Sequence, residues 1–361
     1  MINVLFVGVS DKLGGIETFV INTYRKINKE IIQIDFIKYT KNICFEDEFI
    51  QNGSKIYYIP PRKKILKHYL YLFYFFYKNR NYHIVHYHIN TASCISAIIF
   101  AKIFKIKVVV HSHNTLNPSL KTITGLLHYF NKLVLYYLPV TKLACSISAG
   151  NQTFKNKYFE FVINGIELSK FYFNKDKRKF IRDQLKLENN FVIGHIGNFK
   201  TEKNHEFLID IFNLYNKENP SSKLILVGDG FLKSFIQKKV ITLGLNDSVL
   251  FLGVRKDIQD LLNGFDLFIL PSTAEGLPFV LVEAQASGLQ CLVSNNVPKD
   301  VFITNQVHSL SLNDSLHHWT KKIYELSKYE RIDNSSNLAL KKFDISNTVF
   351  YLENLYNKLN R

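Results

Sequence analysis

The sequence predicts an α/β protein built from two domains that each contain a parallel β-sheet. Short apolar runs of strand length alternate with amphipathic helical segments along most of the chain, an order typical of parallel sheets. A chain of 361 residues with 47% hydrophobic residues can bury two cores. One polar segment interrupts the alternation. We therefore predict a first domain at 1–168, a linker at 169–190, a second domain at 191–344 and a final helix at 345–361.

Twelve strands are predicted from apolar runs rich in β-branched and aromatic residues. Those of the first domain are Ile2–Val9, Ile31–Lys38, Ile56–Ile59, Ile84–Tyr87, Lys107–His111, Lys142–Ser146 and Glu160–Ile163. Those of the second domain are Phe191–Ile196, Lys223–Val227, Val249–Leu252, Leu267–Leu270 and Gln290–Ser294. Because open α/β sheets bind ligands beyond the carboxyl ends of their strands, functional residues are expected at those ends.

The composition favours a reduced, cytoplasmic protein. The four cysteines, Cys44, Cys94, Cys145 and Cys291, are scattered and lack zinc-like spacing. The N-terminus has no basic region before its first strand, unlike a signal peptide. The longest apolar stretches, such as 69–77, are shorter than the roughly 18 residues that a membrane span needs. We therefore expect no transmembrane helix.

The positive charge is concentrated in the first half of the chain. The net charge is +16, and residues 1–170 hold 22 Lys+Arg against 9 Asp+Glu, which is +13 of that total. No acidic residue lies between Glu48 and Glu160, where 15 Lys+Arg occur. Such a surface favours an anionic partner, either the cytoplasmic leaflet of a membrane or nucleic acid. An AT-rich genome, which favours lysine codons, would also explain many of the lysines. It explains less well why acidic residues are missing from one half of the chain only.

A strand at 265–270 leads through a loop into a helix, and two glutamates stand eight positions apart across this junction. Pro278 suits the start of that helix, and the free N–H groups of a helix N-terminus favour phosphate. Glu283, inside the helix, can accept two ribose hydroxyls, and Glu275, on the loop, can meet a second sugar. The site residues predicted here are Glu275, Gly276, Leu277, Pro278, Phe279 and Glu283.

The pair Glu275 and Glu283, with the strand before it and Ala284–Gly288 after it, resembles the donor-site signature of retaining nucleotide-sugar glycosyltransferases, among them capsule and exopolysaccharide enzymes. The resemblance implies the GT-B fold, in which two Rossmann-like domains face each other across a cleft and the final helix returns to the first domain. It implies transfer of a hexose or N-acetylhexosamine from a nucleotide sugar, with UDP the expected nucleotide, to a lipid-linked oligosaccharide. The expected pathways are bacterial capsule, exopolysaccharide or O-antigen synthesis, and Glu275 is expected to be catalytic.

Two glycines follow the first predicted strand at the start of a helix. Gly14 and Gly15 would let the backbone approach a ligand closely there, although the pair alone also fits a plain turn. In its position the pair resembles the family's glycine loop beside the donor diphosphate and the acceptor. The resemblance implies donor binding for Gly15 and acceptor binding for Gly14 and Glu17.

Two H-x-H pairs, at 86–88 and 111–113, each end an apolar strand. Neutral imidazole is a common zinc ligand. We nevertheless expect each pair to offer only one histidine to the site, and without a nearby carboxylate we predict no metal. The open alternatives are polar contacts to sugar hydroxyls and buried structural histidines. The resemblance implies that His113 is the active-site histidine and that His88 and Asn114 contact the acceptor.

The second domain begins with a segment suited to a diphosphate. Gly197, Asn198 and Lys203 lie between a strand and a helix, where a lysine can reach phosphate as a point charge. The segment resembles the family's Gly-Arg…Lys-Asn phosphate motif, but Asn198 stands where arginine is common. That departure leaves more of the charge neutralisation to Lys203 and the helix N-terminus. Arg255, after a later strand, is expected beside the nucleotide base.

No D-x-D motif occurs in the sequence, so we expect neither a metal ion nor another cofactor. Leaving-group charge would then be met by Lys203 and backbone N–H groups. The scarcity of carboxylates in the first domain favours same-face attack without a covalent glycosyl-enzyme.

The segment 60–80, in which lysines are followed by aromatic residues, has two interpretations. It is either a helix packed on the sheet or an interfacial element that holds the protein on the inner face of the plasma membrane.

Three other functions remain open from the sequence. A nucleotide-sugar epimerase could share the architecture and would need no acceptor. A nucleic-acid binder is suggested only by the pI of 9.4, and because no recognition motif accompanies it, we expect no nucleic-acid partner. A non-catalytic polymer-binding homologue is disfavoured because Glu275, Glu283 and Lys203 are all present.

Overall fold

The chain forms two α/β units, each built around its own parallel sheet. The structure is a computed structural model that describes residues 1–114, 118–155 and 158–361. The first unit contains Met1–Ile166 together with Phe343–Arg361, and the second contains Glu167–Lys342. The predicted α/β class and the return of the final helix to the first domain are confirmed.

The first unit alternates strands and helices from its first residues. Its strands are β1 (Ile2–Val7), β2 (Ile32–Lys38), β3 (Ile56–Tyr58), β4 (Ile84–Ile89), β5 (Lys107–Ser112), β6 (Thr141–Ala144) and β7 (Glu160–Phe161). The helices between them are α1 (Gly15–Lys26), α2 (Glu46–Gln51), α3 (Ile65–Lys78), α4 (Ser96–Ile103), α5 (Ile123–Tyr137) and α6 (Ile147–Phe154).

All strands of the first sheet are parallel, in the order β3-β2-β1-β4-β5-β6-β7. The strand order reverses between β1 and β4, which makes their carboxyl ends the natural ligand edge of this sheet. The central strands are buried on both faces because helices cover both sides, as parallel sheets require. One of these faces forms a continuous core with α3, α4, α5 and α6.

The second unit repeats the pattern. Its strands are β8 (Val192–Ile196), β9 (Lys223–Val227), β10 (Val249–Gly253), β11 (Leu267–Leu270), β12 (Gln290–Ser294) and β13 (Val307–Leu310). Its helices are α7 (Lys175–Leu185), α8 (His205–Glu218), α9 (Lys233–Thr242), α10 (Ile258–Gly264), α11 (Phe279–Ala286), α12 (Leu316–Leu326) and α13 (Leu338–Lys341). The sheet order is β10-β9-β8-β11-β12-β13, with the reversal between β8 and β11.

The final helix, α14 (Ile345–Asn360), packs against α1, β1 and β4 of the first unit. Thr348 donates its hydroxyl hydrogen bond to Ile163 O at 2.8 Å, and Glu353 accepts from the backbone N–H of Asn28 at 2.8 Å. Tyr356 is fully buried in this contact. The helix therefore completes the core of the first unit.

The segment predicted as a linker is folded. It contains α7, whose Ile181 and Arg182 are buried against α10 of the second unit. Arg178 and Arg182 both form ion pairs with Asp266, at 2.5 and 3.1 Å. Two arginines of the polar segment therefore anchor this helix to the second unit, while Lys175 and Lys179 stay exposed.

Candidate active site

The loops that follow β8 and β11 meet at one edge of the second sheet because these strands are neighbours. The backbone N–H of Thr273 donates to Glu202 O at 2.8 Å, and the Asn204 side chain donates to Pro271 O at 3.2 Å. These two bonds join the loop after β11 to the turn Thr201–Lys203 before α8. The predicted phosphate segment and the predicted sugar loop are thus held together.

Lys203 and Glu275, predicted to face the diphosphate and the sugar, form an ion pair in the structure. The Nζ to Oε1 distance is 2.5 Å, and only 10% of the Glu275 side chain is exposed. Ser272 donates a second hydrogen bond to the same carboxylate oxygen at 2.6 Å. Ser272 was not predicted as a site residue, although its position three residues before Glu275 on the same loop could have indicated it.

Glycine is required where the loops after β8 and β9 cross. Gly228 has φ of +136°, and a Cβ there would lie 2.2 Å from the carbonyl oxygen of Gly197. A Cβ on Gly197 would in turn lie 3.2 Å from the Lys203 side chain. The missing side chains therefore leave the space in which Lys203 reaches Glu275. Asn198, beside them, is exposed.

The predicted helix N-terminus is present at α11, with Pro278 as its N-cap. The first N–H groups of a helix have no intrahelical partner, so this end presents donors to an anion. Glu283 lies one turn further along on the same helix. It keeps some exposed surface, but the surrounding protein desolvates its carboxyl and raises its pKa to about 7. A group with such a pKa is readily ionised by a ligand that donates hydrogen bonds to it.

Arg255 follows β10 and is held by a neighbouring carboxylate. Its Nε and Nη2 donate to Asp257 at 2.8 and 2.5 Å, a bidentate pair that lowers the pKa of Asp257. Val254, the residue before it, is exposed. Contact of this segment with a nucleotide base stays a prediction.

In the first unit, the glycine loop ends as predicted in a helix N-terminus. Gly14 is the extended N-cap of α1 and Gly15 is its first residue. Glu17 is buried, and its carboxylate accepts hydrogen bonds from the backbone N–H and hydroxyl of Ser10 at 2.9 and 2.8 Å. These hydrogen bonds to Glu17 stabilise the loop between β1 and α1. Its predicted acceptor contact stays a prediction.

Four buried histidines, His86, His88, His111 and His113, lie together at the carboxyl ends of β4 and β5. The expectation that each H-x-H pair offers one inward histidine is wrong, because residues i and i+2 of a strand lie on the same face. The ring centroids of the first pair are 4.3 Å apart and those of the second pair 4.0 Å. His113 shares a hydrogen bond with His88, Nε2 to Nδ1, at 3.0 Å.

His113 is neutral in this environment. Burial lowers its pKa to about 3, so it can make polar contacts but cannot act as a cation toward phosphate. His88 has neither ring nitrogen on the surface, so its predicted contact with an acceptor is not visible in the structure. Asn114 is half-buried directly after His113. The roles of these three residues toward substrate stay predictions.

Together, the second unit offers a lysine, a helix N-terminus and two carboxylates at the ligand edge of its sheet. This set suits a phosphate ester that carries sugar hydroxyls, because cation and N–H groups meet the phosphate while carboxylates accept from hydroxyls. The helices of the described residues include none long and apolar enough to cross a membrane.

Comparison with known proteins shows the family to which the chain belongs. The family model described as Glycosyl transferases group 1 matches residues 176–335. EpsF of Bacillus subtilis, named as a glycosyltransferase, is 32% identical over 95% of this chain and 93% of its own length. The capsular polysaccharide biosynthesis glycosyltransferase CapH of Staphylococcus aureus is 26% identical over 99% of both chains.

Two further similarities concern proteins with named ligands. The Escherichia coli UDP-Gal:alpha-D-GlcNAc-diphosphoundecaprenol alpha-1,3-galactosyltransferase is 29% identical over 66% of this chain and 64% of its own length. The crystal structure of Anabaena HepE in complex with UDP and glucose superimposes with a TM-score of 0.81 at 18% identity, covering 99% of this chain and 100% of that one. The fold is therefore the predicted GT-B type, and the chain belongs to the Glycosyl transferases group 1 family and is a glycosyltransferase.

Proposed function

We propose that this enzyme is a retaining glycosyltransferase that moves a hexose or N-acetylhexosamine from a UDP-sugar to a lipid-linked oligosaccharide, in the synthesis of a capsule, exopolysaccharide or O-antigen. The observation that carries the proposal is the Lys203–Glu275 pair beside the start of α11, with Glu283 on that helix. The name of the E. coli relative, which includes UDP-Gal and a diphosphoundecaprenol-linked acceptor, supports the donor and acceptor classes. The UDP and glucose in the HepE structure support UDP.

Each residue of the donor site has a role that follows from its chemistry. Lys203 and the N–H groups at the start of α11 neutralise the diphosphate, and Glu283 accepts the ribose hydroxyls. Glu275 accepts from hydroxyls of the transferred sugar, which orients its anomeric carbon. His113, being neutral, contributes hydrogen bonding rather than charge.

The acceptor is deprotonated by the departing phosphate rather than by a protein base. The carboxylate of Glu17, at the start of α1, is already engaged by Ser10. Attack on the same face as the leaving group then retains the anomeric configuration and needs no metal ion or other cofactor. Trapping a covalent glycosyl-enzyme by mass spectrometry would contradict this step.

A donor screen tests the proposal directly. UDP-, GDP- and ADP-sugars are compared by thermal shift and by mass spectrometry of products, with and without a lipid-diphosphate acceptor. Glu283→Ala should weaken nucleotide binding, whereas Glu275→Ala and His113→Ala should mainly lower turnover; Glu218→Ala, on an exposed helix end, is the matched control. Epimerised sugar formed without acceptor would favour an epimerase instead, and unchanged donor affinity in Glu283→Ala would refute the site.

The first unit carries an apolar surface that fits peripheral attachment to the inner leaflet. We define it as the exposed large side chains of α3 and α5. They are Ile65, Leu66, Tyr69, Leu70, Tyr71, Phe73, Tyr74 and Tyr77 on α3, and Ile123, Leu126, Leu127, Phe130, Leu133 and Tyr137 on α5. So much exposed apolar area on one unit is typical of an interaction surface.

Helices α3 and α5 are both hydrogen-bonded to the segment that follows β4. His68 of α3 hydrogen-bonds Ser96, at the start of α4, at 2.8 Å. On the other side, His128 and Asn131 of α5 bond the backbone of Ala92 at 3.0 and 2.7 Å. Lys63, Lys64 and Lys67 are exposed at the start of α3 and acidic residues are missing from 49–159, so anionic lipid is the partner whose charge complements these helices.

Liposome flotation tests the attachment. Changing Lys63, Lys64 and Lys67 to glutamate should lower partitioning onto anionic vesicles about 100-fold or more, at about 1 kcal/mol for each basic residue removed. The control variant changes Lys175, Lys179 and Lys328 to glutamate. These lysines are exposed on the second unit, so this variant should partition like wild type. Serine at Ile123, Leu126 and Phe130 should lower partitioning onto neutral vesicles too. Unchanged flotation of the first variant would refute the lipid surface.

A further inference from the structure

The histidine cluster of the first unit is built from two neighbouring strands. His88 of β4 stands opposite His111 of β5 in the sheet register, and the pairs 86–88 and 111–113 put four rings on one face. Phe6 and Phe19 cover these rings with centroid distances of 4.9 to 5.7 Å. The cluster is therefore fully enclosed and held by rigid elements.

Several of the imidazole nitrogens have no partner among the described residues although they are buried. They are Nε2 of His86, Nε2 of His88, both nitrogens of His111 and Nδ1 of His113. A buried polar atom without a hydrogen bond destabilises the folded state. One nitrogen from each of His86, His88 and His111 lies within 4.8 Å of the other two. A single bound ion that accepts a lone pair from each of these three nitrogens would satisfy all of them.

We propose that His86, His88 and His111 bind a divalent transition-metal ion of the zinc class. Imidazole nitrogen is a preferred ligand of such ions and a poor one for Mg²⁺ and Ca²⁺. Nitrogens around tetrahedral zinc lie about 3.4 Å apart for a bond of about 2.1 Å, so the three nitrogens, now within 4.8 Å of one another, would approach by up to about 1.4 Å. This site goes beyond the glycosyl transfer proposed above and needs no part of it.

The outer nitrogens of two of these rings are already oriented. His86 Nδ1 is hydrogen-bonded to the Tyr356 hydroxyl at 2.5 Å, and His88 Nδ1 to His113 Nε2 at 3.0 Å. Metal-binding histidines commonly make such a bond with their second nitrogen, which leaves the other free for the ion. Because Tyr356 lies on α14, the bound ion would tie the final helix to β4 and β5.

The charge of the site sets the expected strength of binding. The three ligands are neutral, and the cluster contributes no carboxylate, so the ion keeps its charge and a water or hydroxide completes its coordination. Binding should therefore be weaker than at a zinc site with cysteine or carboxylate ligands. The ion would stabilise the first unit without being required for its fold.

Metal analysis and thermal unfolding of the full chain test the proposal. After EDTA treatment and gel filtration, the chain should take up about one Zn²⁺ per molecule, and its melting temperature should rise with Zn²⁺ but not with Mg²⁺. His111→Leu should abolish both effects, whereas the control His308→Leu, in the second unit, should keep them. Tyr356→Phe, which leaves the ligands in place, should weaken zinc affinity about 10- to 100-fold. No stoichiometric zinc in wild type, or equal uptake by His111→Leu, would overturn the proposal.

Discussion

Replacing Glu283 with glutamine should stabilise the second unit and weaken nucleotide binding, two effects of opposite sign. Burial raises the pKa of Glu283 from its ordinary value of 4.5 to about 7, and desolvation is the sole cause. The folded protein therefore keeps a proton on Glu283 between pH 4.5 and 7 that the unfolded chain has released. The free energy of unfolding of the second unit is therefore not reduced by Glu283 below about pH 4.5. It falls as the pH rises from about 4.5 to about 7, and above that pH the Glu283 effect is constant.

The size of the effect follows from that pKa difference. The two values differ by about 7 − 4.5 = 2.5, which corresponds to ~3 kcal/mol of unfolding free energy. Partial solvent contact of the side chain reduces this to about 2 kcal/mol. Glutamine is neutral at every pH, so at pH 8 Glu283→Gln should be more stable than wild type by this amount, or about 4–8 °C in melting temperature. At pH 5 most of the gain should vanish.

The assay can be confined to the second unit because the chain has one tryptophan. Trp319 is buried in the core of that unit, so its fluorescence during urea unfolding reports on that unit alone. The exposed control Glu218→Gln should change stability by less than about 0.5 kcal/mol. Equal stability of Glu283→Gln and wild type at pH 8, or an equal gain at both pH values, would refute the reasoning.

The same variant should bind UDP-sugar more weakly. The ribose hydroxyls donate to a carboxylate in wild type, and hydrogen bonds to a charged group contribute about 1.5–3 kcal/mol. Isothermal titration calorimetry at pH 8 should therefore show a dissociation constant about 10- to 100-fold higher. Greater stability with weaker binding separates loss of a ligand contact from misfolding, which would lower both. Unchanged affinity would remove Glu283 from the nucleotide site.

Three further substitutions test the geometry of the second unit. Lys203→Met removes the cation that pairs with Glu275 and should lower the transfer rate at least about tenfold, because the diphosphate loses its main charge partner; a near-normal rate would contradict that role. Gly228→Ala should cost about 3 kcal/mol or more in urea unfolding, because the backbone has a positive φ and the new Cβ would meet Gly197 O at 2.2 Å. Asn198→Arg should tighten UDP binding about tenfold in calorimetry by adding a charge-assisted hydrogen bond, and no gain would show that this departure from the family motif carries no cost.

Hydrophobic pattern predicted nearly all of the strands because buried parallel strands are continuous apolar runs. All twelve predicted strands are present, each within two residues of its predicted ends. The unpredicted strand is β13, at Val307–Leu310, which pairs only with β12 at the edge of its sheet. His308 and Ser309 break its apolar run, and its side chains are only partly buried. Local sequence cannot separate such an edge strand from a loop.

Helix α7 escaped prediction because its burial depends on distant partners. Lys175, Lys177 and Lys179 make the segment read as solvated. The partner of its two arginines is Asp266, which is more than 80 residues away in sequence. An arginine that faces water and one that faces a buried aspartate look the same in a local pattern.

The site residues were predictable as types, but their pairings were not. Lys203 and Glu275 are 72 residues apart, and His86 and Tyr356 are 270 apart. Each residue lies near the end of a strand or on a helix that covers one, so what brings them together is the order of strands in the sheet. That order is a property of the whole domain, and neither propensity nor spacing encodes it. The sequence therefore predicts the candidate residues of such a donor site. The ion pair between Lys203 and Glu275 forms because β8 and β11 are neighbours in the sheet, which the sequence pattern does not show.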